Sequence, residues 1–135
     1  MVTSPPASPP RLIDVLADPT LDNVGVALSA ETRFRSPYAD YEGHDDVAHL
    51  VGHIRRVVAD VRPVHQLADD TVTMTAFEAR VGHETVQGML LEEHDAQGRT
   101  SEAMLTVRPY AALRTSMRAM QVLLEESPLP SRRPA

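Results

Sequence analysis

The chain has 135 residues, 42 % of them apolar and 24 % charged, and carries a net charge of −6. That is the size and balance of one globular domain; no apolar run approaches the roughly 18 to 20 residues of a membrane-spanning helix, and so acidic a chain is a poor general ligand for nucleic acid. The lack of cysteine excludes disulfides, zinc–thiolate and iron–sulfur sites and thiol nucleophiles, and because all 13 basic residues are arginine, Schiff-base and P-loop lysine chemistry is excluded too.

Four prolines and three Ser or Thr fill residues 1–10, with no basic start followed by an apolar stretch, so this segment reads as a disordered Pro-rich tail rather than a signal peptide. The expected location is the cytoplasm. Residues 11–17 (RLIDVLA) form a short helix candidate, and residues 20–29 a second, with Leu21, Val24 and Leu28 at helical spacing and Gly25 weakening it. TRFRSPY follows as a short strand stopped by Pro37.

The longest helix is expected over about 46–61. Val47, Leu50, Val51, Ile54, Val58 and Val61 make one apolar stripe, Asp45 or Asp46 suits the first turn, and Pro63 forbids continuation. Its start, EGHDDVAHLVGH, crowds three histidines and three carboxylates into twelve residues. At about 100° per residue, His49 lies about 140° and His53 about 100° from the stripe's centre, which places both towards solvent. Two imidazoles without a third fixed ligand make a poor metal site, so no metal and no other cofactor is expected.

From here the period changes. Residues 64–69 read as a weak strand, and 71–81 (TVTMTAFEARV), 84–94 (ETVQGMLLEEH) and 100–108 (TSEAMLTVR) as strands joined by the turns at Gly82-His83 and at Asp95–Arg99. Tight turns join antiparallel strands, so the sheet is mostly antiparallel. Residues 110–125 form a final helix candidate with Leu113, Met117, Met120 and Leu124 in register. Residues 127–135, rich in Pro and Arg, read as a second disordered tail, leaving 11–126 as the folded domain of an α+β protein.

Five short motifs stand in order along this chain: Phe34-Arg35-Ser36-Pro37 entering a loop, Gly43-His44-Asp45 before the helix, Phe77-Glu78-Ala79-Arg80-Val81-Gly82 on a strand, the turn Asp95-Ala96-Gln97-Gly98-Arg99, and Arg108-Pro109 closing the last strand. Together they resemble the nuclear-transport-factor-2-like superfamily over about 11–124, in particular its small bacterial members of the SnoaL-like kind. The resemblance implies a cone-shaped curved sheet packed against about three N-terminal helices, with the C-terminal helix added. It implies a mostly apolar pocket at the cone mouth for a small apolar ligand, and a homodimer formed through the outer sheet face. Met89, Leu90 and Leu91 in succession fit a strand covered on both faces.

The known catalytic sets of the superfamily map poorly. Where steroid isomerases carry a carboxylate base this chain has Ser36, where they carry a buried acid it has about Leu90, and where they carry a tyrosine it has a residue near Leu12. A lone serine is a poor proton acceptor and leucine cannot donate to an oxyanion. The epoxide hydrolase pattern meets Ala103, Met104 and Leu105 on the final strand, with Glu102 on the opposite face. Glu78 and Arg80 share a face of their strand and serve either a polar pocket or an exposed ion pair. Glu92 and Glu93, beside His94 and a turn, read as a solvated strand end.

Three of the chain's five aromatic residues fall within Phe34 to Tyr41, which makes this loop the ligand-contact region. Tyr38 and Tyr41 either donate O–H groups to a ligand or cover the open end of the core. The pocket is therefore expected among Leu12, Phe34, Ser36, Tyr38, Tyr41, Met74, Glu78, Arg80, Leu90, Ala103 and Leu105. Three functions remain: a binding domain without the superfamily's acid/base set, a SnoaL-like isomerase, cyclase or hydrolase acting on an apolar oxygenated substrate, or a structural dimerisation module serving a partner protein, which predicts no cavity of ligand size, well under roughly 300 Å3.

Overall fold

A computed structural model describes residues 8–133. Most of the expected N-terminal tail, together with residues 134–135, lies outside them. Six strands form one mixed sheet: β1 (Leu28–Arg35), β2 (Asp40–Glu42), β3 (Ala59–Ala68), β4 (Val72–Val81), β5 (Glu84–His94) and β6 (Thr100–Arg108). Their order is β2-β1-β6-β5-β4-β3, antiparallel throughout except for the parallel pair β1–β6. The sheet is not closed: β2 and β3 are its edges. Three helices accompany it, α1 (Leu12–Ala17), α2 (His44–Val57) and α3 (Tyr110–Glu126).

The inner face follows from alternation along each strand. Thr73, Thr75, Phe77, Ala79 and Val81 of β4, Val86, Gly88, Leu90 and Glu92 of β5, and Ala103 and Leu105 of β6 are buried, as are Thr32 and Phe34 of β1. Against them pack Leu12, Ile13, Val15 and Leu16 of α1 and Val47, Leu50, Val51 and Ile54 of α2. Gly88 lies opposite Phe77 in the β4–β5 register, and a β-carbon on it would collide with the Phe77 ring.

Four expectations change. The helix expected at 20–29 is a single 3-10 turn, Val24–Ala27, and β1 begins at Leu28. The reason is His44: its ring packs so tightly on Gly25 that an added β-carbon would lie 2.8 Å from its Cε1 atom, and Leu28 pairs with Thr100. The long helix ends at Val57, four residues early, because residues 59–68 gain a ladder with β4. Asp60, at φ 53°, makes the sharp exit; Asp tolerates that left-handed region better than most residues. Pro63 is accommodated because β3 is an edge strand.

At the start of α2, the N-cap is Gly43 at φ 95°, a value that favours glycine, and no side chain caps the helix. Asp45 and Asp46 still oppose the helix dipole, but their carboxylates are engaged elsewhere: Asp45 with His44 and Asp46 with Ser131. That second contact belongs to the last correction. Residues 127–133, expected to be a free tail, lie along α2 and end in a 3-10 turn, Pro130–Arg132. Leu129 is buried, and the Ser127 carbonyl accepts hydrogen bonds from His49 Nε2 (2.8 Å) and His53 Nε2 (3.1 Å). A short apolar residue between two prolines found a slot beside α2. His53, expected at the solvent boundary, is therefore buried.

Candidate functional site

α3 runs across the end of the cone where β4 and β6 finish and β5 begins. Its buried line is Ala112, Ser116 and Met120, not the expected Leu113–Met117–Met120–Leu124 register, and Met117 is 39 % exposed. Beneath α3 the cone holds a small, partly open apolar cavity of about 20 Å3. Ser36, Pro37 and Tyr38 of the β1–β2 loop, Leu105 and Val107 of β6, and Leu113, Ser116 and Met120 of α3 are among its walls. That volume suits a single water molecule, far below the roughly 300 Å3 of an ordinary ligand pocket.

Outside this plug, between the β1–β2 loop and α3, lies an open groove of about 540 Å3. It is lined by Tyr38, Tyr41, Tyr110, Arg114, Met117, Arg118, Met120, Gln121, Leu124 and Glu125. All three tyrosines of the chain meet here. Burial pushes the Tyr38 phenol up to about 12, with neighbouring Tyr41 adding to the shift. Burial also raises the Tyr41 phenol, against the pull of Arg132. Both phenols are therefore neutral O–H donors at neutral pH. The Arg114 guanidinium stands 6.0 Å from the Tyr110 ring centroid, within cation–π range.

The residues expected to line the pocket divide into three groups. Ser36, Tyr38 and Leu105 meet at the plugged cavity, and Tyr41 joins Tyr38 in the groove. Leu12, Phe34, Leu90 and Ala103 are solid core. Met74, Glu78 and Arg80 point out of the cone: Met74 is 37 % exposed, Glu78 pairs with Arg62, and Arg80 pairs with Asp60 at 2.6 Å. Arg80 makes an exposed ion pair, whereas Glu78 both pairs with Arg62 and lines an open pocket of about 570 Å3 with His65, Gln87 and Arg108. Tyr110, Arg114, Met117 and Arg118 were not anticipated as groove residues. Tyr110 as the third tyrosine, placed after the Arg108-Pro109 stop, is the signal that would have found them.

Chemical groups at the mouth are few. The Ser36 hydroxyl closes its own turn, donating to the Ala39 carbonyl at 2.7 Å and accepting from the Tyr38 and Ala39 N–H groups at 3.3 and 3.0 Å. No carboxylate or histidine lines the plugged cavity among the described residues. The buried acid of this chain is Glu92, on the inner face of β5 and fully buried, not the solvated residue expected. It accepts hydrogen bonds from the Leu12 and Ile13 N–H groups and from the Thr100 hydroxyl. Gly88 pairs with the cavity-lining Val107. Glu92 is four residues further along β5, about 13 Å away, and so out of reach of the mouth.

The histidines of the α2 start are each engaged. His44 donates to Asp45 Oδ1 (3.0 Å) and to the Gly25 carbonyl (2.8 Å), and these partners hold its imidazole above the ordinary value. His49 and His53 meet edge-on at 4.6 Å over the Ser127 carbonyl. Among the described residues no group of three or more His, Asp or Glu is placed to hold a metal ion. No helix there is long and apolar enough to cross a membrane.

No family model matches the chain, and no curated protein matches it. Solved structures do. An uncharacterized protein with a cystatin-like fold from Silicibacter pomeroyi superposes with a TM-score of 0.80 at 22 % identity, over 87 % of this chain and 84 % of that one. A steroid delta-isomerase from Pseudomonas aeruginosa gives 0.75 at 28 % identity, over 85 % of each chain. A SnoaL-like protein of unknown function from Burkholderia thailandensis gives 0.59 at 13 % identity, over 73 % of this chain and 90 % of that one. The chain has the nuclear-transport-factor-2-like, SnoaL-like fold, an α+β cone whose sheet is not closed.

Proposed function

We propose that this protein is a small-molecule-binding domain that receives an apolar ligand in the groove at the cone mouth, and that it works as a homodimer. The observation that carries the reading is the meeting of all three tyrosines with Met117, Met120 and Leu124 around one groove of about 540 Å3. Convergent apolar side chains with a few fixed polar groups are what a ligand site requires. The ligand sits between the β1–β2 loop and α3 rather than inside the cone, because the cavity walled by Met120 and Ser116 holds only about 20 Å3. The alternative, an enzyme of the SnoaL-like kind, is favoured by the 28 % identity to a steroid delta-isomerase. Against it stand the engaged Ser36 hydroxyl and the distance of Glu92 from the mouth.

The dimer reading rests on the outer sheet face. Leu67, Met74, Leu91 and Met104 pair in one row across β3, β4, β5 and β6. Met89 and Val64, 45 % and 47 % exposed, widen that row into an apolar patch.

Methionine methyl groups separate the two surfaces. Met117 and Met120 face the groove, whereas Met74, Met89 and Met104 are on the outer face. In a methyl-labelled NMR screen of small ring compounds, binders should move the Met117 and Met120 resonances. Binders that move only Met74, Met89 and Met104 would overturn the groove as the ligand site.

A further inference from the structure

The groove carries a charge that its apolar lining does not explain. Carboxylates outnumber arginines 19 to 13 in this chain. Arg33, Arg35, Arg62 and Arg80 accordingly pair with Glu42, Glu102, Glu78 and Asp60. Arg114 and Arg118, like Arg56, Arg99 and Arg132, make no ion pair or side-chain hydrogen bond among the described residues, and of these five they are the two that line the groove. They stand one helical turn apart on the same face of α3, and both line the groove. Glu125 is the only acidic residue lining it, about 10 Å along the helix axis from Arg118 by the rise of seven residues. At that distance it cannot neutralise either arginine by contact, and salt screens it further. The groove thus has a cationic end beside Tyr110 and an anionic end beside Leu124.

We propose, building on the groove as the ligand site, that the ligand is an apolar monoacid: a compact hydrocarbon ring or cage ending in one carboxylate. The hydrocarbon lies on Tyr38, Tyr41, Met117 and Met120, and the carboxylate is taken by the guanidinium forks of Arg114 and Arg118. A planar fork matches a carboxylate in two-point contact, which a point charge cannot do. The Arg114 guanidinium also lies over the Tyr110 ring at 6.0 Å, and no protein acceptor takes its N–H groups among the described residues. Glu125 sets the count at one, since a second negative group at the far end of the ligand would meet it.

The protein's own composition supplies the reporter. With no tryptophan and all three tyrosines in the groove, its ultraviolet emission reports this groove alone. Adamantane carboxylate and its neutral isostere adamantane carboxamide, both transparent where tyrosine absorbs, are titrated by calorimetry while the emission is followed. The acid should bind at least tenfold more tightly than the amide and change tyrosine emission saturably. The doubly substituted Arg114→Gln, Arg118→Gln chain should lose the preference, binding the acid no better than the amide. Equal binding of acid and amide, or an acid preference that survives the double substitution, overturns the anion reading while leaving the groove as a site. If neither compound binds with a change in tyrosine emission, the groove reading and the anion reading both fall.

Discussion

Glu92 Oε1 accepts the backbone N–H of Leu12 at 2.6 Å, and this contact ties the first helix to the middle of the sheet. Burial pushes the Glu92 carboxyl above its ordinary value, while bonds from Leu12, Ile13 and Thr100 oppose the shift. A raised carboxyl contributes stability below its unfolded pKa and loses that contribution as the pH climbs through the folded one. The Glu92→Gln variant should therefore gain on the wild type as pH rises from the ordinary glutamate range towards neutrality, read as the difference in urea midpoints. A difference that does not move with pH would contradict this account. Glu92→Leu, which strands two N–H groups and a hydroxyl, should cost on the order of 3 kcal/mol at acidic pH, and less as pH rises and the wild type loses the contribution of its raised carboxyl.

The Tyr38 phenol follows the same rule at alkaline pH. Its pKa near 12 lies above the unfolded value of 10, so its contribution is intact up to about pH 10 and vanishes as pH rises through the folded value. Tyrosinate absorbance should show one late-ionising phenol in the folded chain, and Tyr38→Phe should remove it. The same substitution should make the fold less sensitive to alkali.

Gly88 and Phe77 are coupled across β4 and β5. Gly88→Ala should destabilise the fold by about 1–3 kcal/mol, the usual cost of overfilling a packed core. Adding Phe77→Leu to Gly88→Ala should cost less than the sum of the two single changes, because the smaller side chain vacates the space the new methyl needs. Strict additivity in thermal unfolding would show that the ring is not what excludes the methyl.

The outer face offers a test without a ligand. Met89→Glu together with Met104→Glu puts charge into the apolar row while touching no core contact, since both side chains are 43–45 % exposed. Light scattering should change from the mass of two chains to that of one, with the unfolding temperature of the monomer little altered. A wild-type chain that is already monomeric at micromolar concentration would remove the dimer from the proposal.

Strands β4, β5 and β6 were legible because alternation and tight turns are local signals, and the last two match their expected bounds residue for residue. The helix expected at 20–29 was misread because its apolar spacing fits two structures equally well. Only a tertiary contact, His44 against Gly25, decides between them. The α2 exit was misread for a related reason: Val58 and Val61 extend a helical stripe, yet Val61 is buried from a strand. Three of five aromatic residues in eight positions drew attention to the β1–β2 loop. Its partner did not stand out, since nothing local says that α3 lies over the cone mouth and brings Tyr110, Arg114 and Arg118 to Tyr38. Nor does sequence place Leu129, whose burial depends on a slot made by α2.

The parallel pairing of β1 with β6 sets an order of events during synthesis. Strands β3 to β6 are successive antiparallel neighbours and can zip together as they leave the ribosome. Helix α1 and strand β1 emerge first, yet Leu12 must wait for a carboxylate 80 positions later, and Phe34 for a partner strand completed later still. The earliest-made segment is thus the last to be clothed. In the interval its apolar side chains lack their native partners, the condition under which aggregation competes with folding.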